Sequence, residues 1–324
     1  KLKKIVIAVL SLAISQAFAN PSSWIEQNKL VGEIGGWRVY SKEQVVRESP
    51  ANQNIFTLNQ AIERALNQQL DWTNYLRGSE SISDYYLLTP AQRSALQKRS
   101  SIIYDTTKSY YELVALKEKL IHMEDVLDAV EAASELSARM YKVGNINELA
   151  LLKQNKALYK KRLEYKALQG KYLEAKERFI QRMNFDSRDV RVDVDARLPE
   201  PPKEQRKLSA RELKAIGLGD INNPESVKTR STARLSYESY LEKYQGVKSY
   251  KEEILPTQKK ISEENLLRYN GMLIDVFHLL EDVETQSKTV MDYIDVKTAF
   301  LIQSARLDKD LMDVQMDFSN INVR

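Results

Sequence analysis

Apolar residues follow one another at intervals of three and four positions through much of the chain. The first such series consists of Leu113, Leu116, Leu120, Met123, Leu127 and Val130. This heptad spacing places the apolar side chains in one stripe along a helix, and such a stripe needs a partner helix to cover it. We predict a helix over 91–141, which approaches 75 Å in length at about 1.5 Å per residue. That length exceeds what a compact domain needs.

A second series predicts the partner helix. Its seam extends the pattern to about Met183 through Leu158, Tyr165, Leu168, Tyr172, Ala175 and Phe179. Between the two series, residues 141–147 read YKVGNIN. Gly144 suits the left-handed conformation that ends a helix, and Asn145 and Glu148 are expected to cap the next one. The pattern predicts two long antiparallel helices joined by a tight turn.

The second half of the chain repeats this organisation. A helix is predicted over 225–269, with a bend or a break at Pro256, because proline lacks the amide hydrogen and clashes with the preceding turn. Asn270-Gly271 comes next. A last helix is expected to run to about Asp317, with an apolar face formed by Leu273, Phe277, Leu280, Val290 and Ile294.

Each half also opens on a helix start signal. Thr57 with Gln60 and Ser209 with Glu212 have the spacing of a capping box, in which each side chain satisfies a free backbone N–H group. We therefore predict a helix start directly after Thr57 and another directly after Ser209.

The two turns match when their sequences are aligned. YKVGNINELALL (141–152) and YNGMLIDVFHLL (269–280) agree in the tyrosine, an isoleucine and the leucine pair, whereas the glycine is displaced by one position. We interpret Asn270-Gly271 as the second copy of Val143-Gly144 and the chain as a duplication; chance similarity between two amphipathic helices is the alternative. The predicted parts are a first helical repeat, a linker, a second helical repeat and a tail, at 57–184, 185–207, 208–318 and 319–324.

The first residues of the sequence have a different character. A basic KLKK is followed by the apolar IVIAVLSLAI and by Ala17-Phe18-Ala19, the order typical of a secretory signal peptide and its cleavage site. We expect 1–19 to be a signal peptide, with a structural apolar helix as the alternative, and 20–56 to be an N-terminal extension. Loss of Lys1, Lys3 and Lys4 would lower the net charge from +4 to +1. A charge near neutral argues against a nucleic-acid-binding protein.

The duplicated long helices, the exported chain and the tyrosine-glycine turn before a Leu-Leu helix resemble the TolC-like outer membrane efflux proteins. The opening Leu58-x-x-Ala61-x-x-x-Ala65-Leu66 and the Leu255-Pro256 pair before the second turn are similar to that family as well. The resemblance covers most of 57–318. The sequence motif YNGMLIxVFxLL further resembles a metal-resistance, copper-linked branch of the family.

The resemblance implies a fold and an assembly. It implies an all-α protomer of long antiparallel helical hairpins in two repeats, which forms a homotrimer around a hollow periplasmic α-barrel. It also implies that the hairpin turns meet a periplasmic adaptor protein and an inner-membrane pump. The residues carried over to these partner-binding tips are Tyr141, Gly144, Asn145, Tyr269, Asn270 and Gly271.

One departure from the family concerns its membrane strands. Each repeat of the family inserts a β-hairpin, and a membrane hairpin needs more than about 20 residues. The first repeat offers only 78–90, and in the second repeat 230–255 is too charged and has a helical pattern. We therefore expect little or no membrane β-barrel; strands within 20–56 and 78–90 are the alternative.

The candidate chemistry is sparse. His122 and His278 are the two histidines of the chain, and together with Met272 they suggest a soft-metal site. Lone histidines on separate helices are more often packing or surface residues, so no metal or other cofactor is expected. Two histidines also provide no nucleophile and base set, and we expect no enzymatic activity.

The sequence thus predicts a periplasmic helical conduit component of a tripartite efflux system, exported, and with outer membrane contact left open. A periplasmic coiled-coil scaffold that transports nothing is the first alternative, and a soft-metal (copper) handling protein is the second.

Overall fold

The computed structural model describes residues 54–68, 89–183, 192–217 and 223–321. Its strands are β1 (Asn54–Phe56) and β2 (Val192–Val194). Its α-helices are α1 (Leu58–Asn67), α2 (Pro90–Lys142), α3 (Glu148–Arg182), α4 (Ala210–Gly217), α5 (Pro224–Ser249), α6 (Leu255–Asn270) and α7 (Val276–Ile321). This confirms the predicted all-α fold of long helical hairpins. The expectations for 1–53, for most of 78–90 and for the end of the tail lie outside the described residues.

The helix starts show the predicted capping. Thr57 and Gln60 exchange two hydrogen bonds between side chain and backbone at the start of α1, with lengths of 3.0 and 3.4 Å. Ser209 and Glu212 form the same reciprocal box before α4. A third box, which the sequence analysis missed, joins Thr89 to Gln92 before α2.

The break predicted at Pro256 takes the form of a π-helical segment, Tyr250–Ile254, between α5 and α6. Pro256 stands at the second position of α6, where a missing backbone N–H costs little. A π turn widens the helix locally and is a recognised cause of a kink. The helix predicted over 225–269 is therefore two α-helices joined by a wider turn.

The chain forms two compact units, and each contains residues of both predicted repeats. Unit 1 holds 118–171 and 250–293, which are the tip-side parts of the two hairpins. Unit 2 holds the other described residues. The repeat boundaries proposed from the sequence stay a prediction.

In unit 2, the two short strands are fastened to α2. β1 and β2 pair in parallel, with Ile55 opposite Asp193. The Tyr110 hydroxyl lies 2.6 Å from Asp195 Oδ2 and 3.0 Å from the Phe56 carbonyl oxygen. Lys117 Nζ donates to Asp193 Oδ1 at 2.6 Å. These contacts hold the strand pair against buried aromatic residues of α2 and α3.

In unit 1, the hairpins lie side by side. Val126 and Val130 of α2 pack on Leu158 of α3. Lys161 of α3 forms an ion pair with Glu284 of α7 at 3.4 Å. Since both residues lie within about four turns of the start of their helices, α3 and α7 begin at the same end, and the two hairpin turns share that end.

The four helices of unit 1 differ in how much of their surface is covered. Most residues of α2 and α7 in this unit are buried or half-buried, whereas α3 and α6 each leave a broad face exposed. No helix within the described ranges has both the length and the apolar character needed to cross a bilayer.

Candidate partner-binding tips

The first hairpin turn is closed by hydrogen bonds at the end of α2. The backbone N–H of Gly144 donates to the Tyr141 carbonyl at 3.0 Å, and that of Asn145 donates to the Met140 carbonyl at 2.9 Å. Gly144 has φ +79°. This pairing around a left-handed residue is the Schellman motif, and it satisfies carbonyl groups that the helix leaves without partners. The left-handed conformation predicted for Gly144 at the end of the helix is confirmed.

The start of α3 corrects one prediction. Asn147, not Asn145, caps the helix: its Oδ1 accepts the backbone N–H of Ala150 at 2.9 Å. Asn145 is instead engaged through its backbone in closing α2. Glu148 is the first residue of α3, where its negative charge is favourable beside the helix N-terminus.

The second turn has the same hydrogen bonds, 128 residues further along the chain. The backbone N–H of Gly271 donates to Leu267, that of Met272 to Tyr269 and that of Leu273 to Arg268, at 2.8 to 2.9 Å. In the first turn the corresponding donors are Val143, Gly144 and Asn145.

The left-handed residue of the second turn is Met272, with φ 58°, and it is a methionine rather than a glycine. Gly271 has φ −81°, which any residue can adopt. The second turn thus has the hydrogen-bond pattern of the first, and the one-position displacement of its glycine in the sequence alignment is also found in the structure. Gly271 corresponds to Val143, and Met272 corresponds to Gly144.

Asp275 caps α7 as Asn147 caps α3. Its Oδ1 accepts the backbone N–H groups of Phe277 at 2.9 Å and His278 at 3.0 Å, and it lies 2.8 Å from His278 Nδ1. Partial burial opposes the charged carboxylate, but these donors outweigh it and lower the pKa of Asp275. The hydrogen bond to Asp275 and its charge raise the pKa of His278.

The six predicted tip residues divide between the two turns. Gly144, Asn145, Asn270 and Gly271 are exposed in the turns themselves. The two tyrosines differ, since Tyr141 is exposed whereas Tyr269 is half-buried. Their part in partner binding stays a prediction.

The turns also expose apolar side chains that the sequence analysis did not assign to partner binding. Leu273, which was predicted on the apolar face of the last helix, lies instead in the turn before α7. Val143 is 64% exposed in the first turn, and Met272 and Leu273 are 75% and 72% exposed in the second. The alignment of the two turns contained the signal, because it placed Met272 opposite Gly144. A left-handed position in both turns, once recognised, would have identified Met272 as unusual.

The metal hypothesis gains no further support at the tips. His278 is exposed and its ring is engaged by Asp275, whereas His122 lies half-buried in α2. Among the described residues, no group of three or more His, Cys, Asp or Glu side chains is arranged to hold a metal ion. Soft-metal handling stays the second alternative to the predicted conduit.

Comparison with known proteins gives similarity at the level of structure. No protein-family model and no curated protein sequence matches the chain. The structure is similar to CusC, solved in a study of folding and transmembrane channel formation, with a TM-score of 0.54 and 9% identity over 78% of this chain and 74% of that one. It is similar to the CmeC outer membrane channel of Campylobacter jejuni, with a TM-score of 0.56 and 11% identity over 82% and 70%. It is also similar to the outer-membrane channel OprN, with a TM-score of 0.51 and 10% identity over 94% and 89%.

These identities are too low to establish more than architecture. The shared architecture agrees with the paired long helices and with the two turns at one end of unit 1. The chain therefore has the fold of the TolC-like outer membrane channels.

Proposed function

We propose that this protein is a helical conduit component of a tripartite efflux system, exported to the periplasm, assembled as a homotrimer and associated with the outer membrane. The observation that carries the proposal is the pair of matched turns at one end of unit 1, on a fold shared with outer membrane channels. Two hairpins with the same closure present two similar surfaces to one partner. In such a system the partner at this end is a periplasmic adaptor protein, which is joined to an inner-membrane pump.

The tips have the surface expected of a docking site. Val143, Met272 and Leu273 are apolar and largely exposed, and exposed apolar side chains that share one end of a protein mark a contact surface. Met272 in addition holds a left-handed conformation, which costs a non-glycine residue about 1–2 kcal/mol. Strain retained at an exposed apolar residue is consistent with a functional constraint on that residue.

Site-specific photo-crosslinking in the native host tests the docking. A photoreactive residue at position 272 is expected to crosslink to a periplasmic adaptor subunit, identified by mass spectrometry. The matched control is the same probe at Leu235, which is 69% exposed on α5 in unit 2 and is expected to give no adaptor crosslink. Adaptor crosslinks from position 235 but from neither 143 nor 272 would contradict docking at the tips.

A second candidate is a scaffold that transports nothing, and one observation favours it. α4 ends at Gly217 and α5 begins at Pro224, so the connection is far shorter than the roughly 20 residues of a membrane hairpin. The segment 230–249 belongs to α5, as its charged pattern predicted. We therefore include in the proposal that the membrane-inserted part of this chain is reduced.

Fractionation of cells separates the two candidates. A conduit is expected to remain with outer membranes after washing in high salt, because insertion or a tight assembly does not depend on screened charges. A free scaffold is expected to be released with the periplasm. Quantitative release of the native chain would favour the scaffold over the conduit.

A further inference from the structure

The π-helical segment Tyr250–Ile254 distinguishes the second hairpin from the first. A π turn closes between residues five apart rather than four, so it holds one residue more than the α turn that it replaces. In the first hairpin the corresponding helix, α2, is α-helical throughout Pro90–Lys142. The second hairpin therefore carries one surplus residue, and the π turn before α6 is the place that holds it.

The turn at the other end of α6 has its glycine one residue before the left-handed position. Met272 holds that position with φ 58°, whereas Gly271 has φ −81°. A Cβ added to Gly271 would meet its nearest atom at 3.5 Å, an ordinary contact, so this conformation does not require a glycine. The residue type that adopts a positive φ without steric penalty thus precedes the position that demands it.

The buried face of α6 shows a displacement in the same sense. Ser262 lies one turn beyond Gln258, which donates to Asp282 of α7. Ser262 is 8% exposed, and its hydroxyl has no hydrogen-bond partner. Ile261, the residue before it, is 47% exposed. A buried hydroxyl without a partner is unfavourable, and an apolar side chain in water is unfavourable as well.

We propose that α6 has a second register, advanced by one residue towards the hairpin turn. In this advanced register the π turn becomes an α turn, and each place along α6 is taken by the preceding residue. Ile261 then takes the buried place of Ser262, and Gly271 takes the left-handed place of Met272. One displacement therefore removes the surplus residue from the helix, the strain from Met272 and the unpartnered hydroxyl from the interior.

The surplus residue passes into the hairpin turn. In the structure two residues separate the left-handed Met272 from Asp275, the N-cap of α7, as two separate Gly144 from Asn147. With Gly271 in the left-handed place, Met272 joins the residues of the connection, which then numbers three. The change of register thus lengthens the second turn and alters its exposed surface, while the first turn keeps its closure.

The advanced register also has costs, and these make it the minor state. Three half-buried places near the turn would receive a charge or an amide, because Glu264, Asn265 and Arg268 would replace Asn265, Leu266 and Tyr269. The two remaining places on this face would receive Ile254 for Leu255 and Thr257 for Gln258, with loss of the hydrogen bond from Gln258 to Asp282. Both registers therefore have unfavourable features, and a contact made at the turn can shift the balance between them.

Cysteine crosslinking in the whole chain reports the register, since the sequence contains no cysteine. Gln258→Cys with Asp282→Cys reports the register of the structure, in which these two side chains meet. Thr257→Cys with Asp282→Cys reports the advanced register, in which position 257 takes the place of position 258. A short bifunctional thiol reagent is expected to link both pairs, and to link the 257–282 pair more slowly because the advanced register is the minor state.

Two substitutions in the turn test whether the slow link depends on the left-handed position. Gly271→Ala is expected to lower the rate of the 257–282 link about tenfold, because position 271 becomes left-handed only in the advanced register. Met272→Gly is expected to lower it by a comparable factor, because it relieves the strain of the register seen in the structure. The 258–282 link is the control, and neither substitution is expected to change its rate.

Deletion of Glu253, an exposed residue of the π turn, gives an independent test. Without the surplus residue, α6 keeps its present place as part of a continuous α-helix and has no residue left to advance. The 258–282 link is expected to form and the 257–282 link to be lost, with circular dichroism confirming that the variant stays helical. A 257–282 link that is absent from the native background, or that keeps its rate in Gly271→Ala or in the deletion, overturns the second register.

Discussion

Met272 holds in the second hairpin turn the left-handed backbone position that Gly144 holds in the first. The hydrogen bonds around the two residues are the same. The turns therefore share their geometry and differ in which residue type occupies the left-handed position. Glycine adopts a positive φ without steric penalty, whereas a side chain at this φ crowds the following carbonyl oxygen.

This difference predicts opposite effects of substitution in the two turns. Met272→Gly is expected to stabilise unit 1 by about 1 kcal/mol, and Gly144→Ala is expected to destabilise it by about 1 kcal/mol, because only the left-handed conformation penalises a Cβ. Urea denaturation of the variants measures both effects. The matched control is Gly271→Ala: a Cβ there would meet its nearest atom, the Leu267 carbonyl oxygen, at an ordinary 3.5 Å. A cost for Gly271→Ala equal to that for Gly144→Ala would contradict the assignment of the left-handed positions.

The N-cap of α7 predicts a pH dependence that the N-cap of α3 lacks. Asp275 and His278 occupy the positions that Asn147 and Ala150 occupy in the first hairpin, and neither of those two titrates. The charged groups acting on the His278 ring are Asp275 and Glu281. The polar contacts of α7 with the neighbouring helices come later along it, from Gln258 of α6 to Asp282 and from Lys161 of α3 to Glu284.

The signs of the two shifts define a pH window. The pKa of Asp275 is lowered from 3.8. The stability that the charged Asp275 adds to the folded state is therefore present above pH 3.8 and is lost as the pH falls through the folded pKa. The pKa of His278 is raised from 6.5. The stability that the protonated His278 adds to the folded state is therefore complete below pH 6.5 and is lost as the pH rises through the folded pKa. The interaction between Asp275 and His278 is therefore expected to be strongest between pH 3.8 and pH 6.5.

NMR titration of the His278 ring measures this coupling. Replacing Asp275 by Asn keeps an oxygen that caps α7 but removes the charge, so the pKa of His278 is expected to fall towards 6.5. Glu281→Gln serves as the comparison. It is expected to change the pKa of His278 less, since Glu281 acts on the ring through its charge and not through a hydrogen bond. An unchanged His278 pKa in Asp275→Asn would show that the ion pair does not form in solution.

A hydroxyl group in unit 2 is predicted to stabilise the packing of the strand pair on α2. Burial and the hydrogen bond to Asp195 both raise the pKa of Tyr110, so the hydroxyl remains protonated and can donate. Tyr110→Phe removes this donor from Asp195 and is expected to cost about 1.5–3 kcal/mol, as for a hydrogen bond to a charged group. The control is Tyr111→Phe on the adjacent position, which is expected to cost less. Thermal unfolding followed by circular dichroism compares the two, and equal losses would assign no special role to the Tyr110 hydroxyl.

The sequence was most informative where local chemistry determines structure. The heptad seams predicted α2 and α3, and the capping boxes at Thr57 and Ser209 predicted two helix starts, because both signals depend on residues close together in the chain. Gly144 was identified for the same reason. The left-handed position of the second turn was not evident from the sequence, because the glycine of that turn does not occupy it. In the second turn the hydrogen-bond pattern places Met272 there instead, at a cost that the sequence does not display.

Other features depend on contacts between distant parts of the chain. Sequence periodicity identified the buried seam of α3 but did not show that Leu149, Tyr159 and Leu163 are exposed, because this helix carries apolar residues on two opposite faces. Which face of α3 is buried depends on the packing of α2 and α7 against it. The role of Asp193 and Asp195 beside Lys117 and Tyr110 is likewise set by the parallel pairing of β1 with β2.

A buried carboxylate on α7 supplies the last prediction. Asp310 is 7% exposed and accepts a hydrogen bond from the Ser236 hydroxyl of α5, and Arg306 Nε lies 3.6 Å from its Oδ2. Ser236→Ala is expected to destabilise unit 2 by about 1.5–3 kcal/mol, because it removes a donor from a buried charge. The double variant Ser236→Ala with Asp310→Leu is expected to cost less than the sum of its two single changes, since no buried carboxylate then lacks the hydroxyl donor. A double-mutant cycle in urea measures this coupling, and strict additivity would show that the two side chains do not interact.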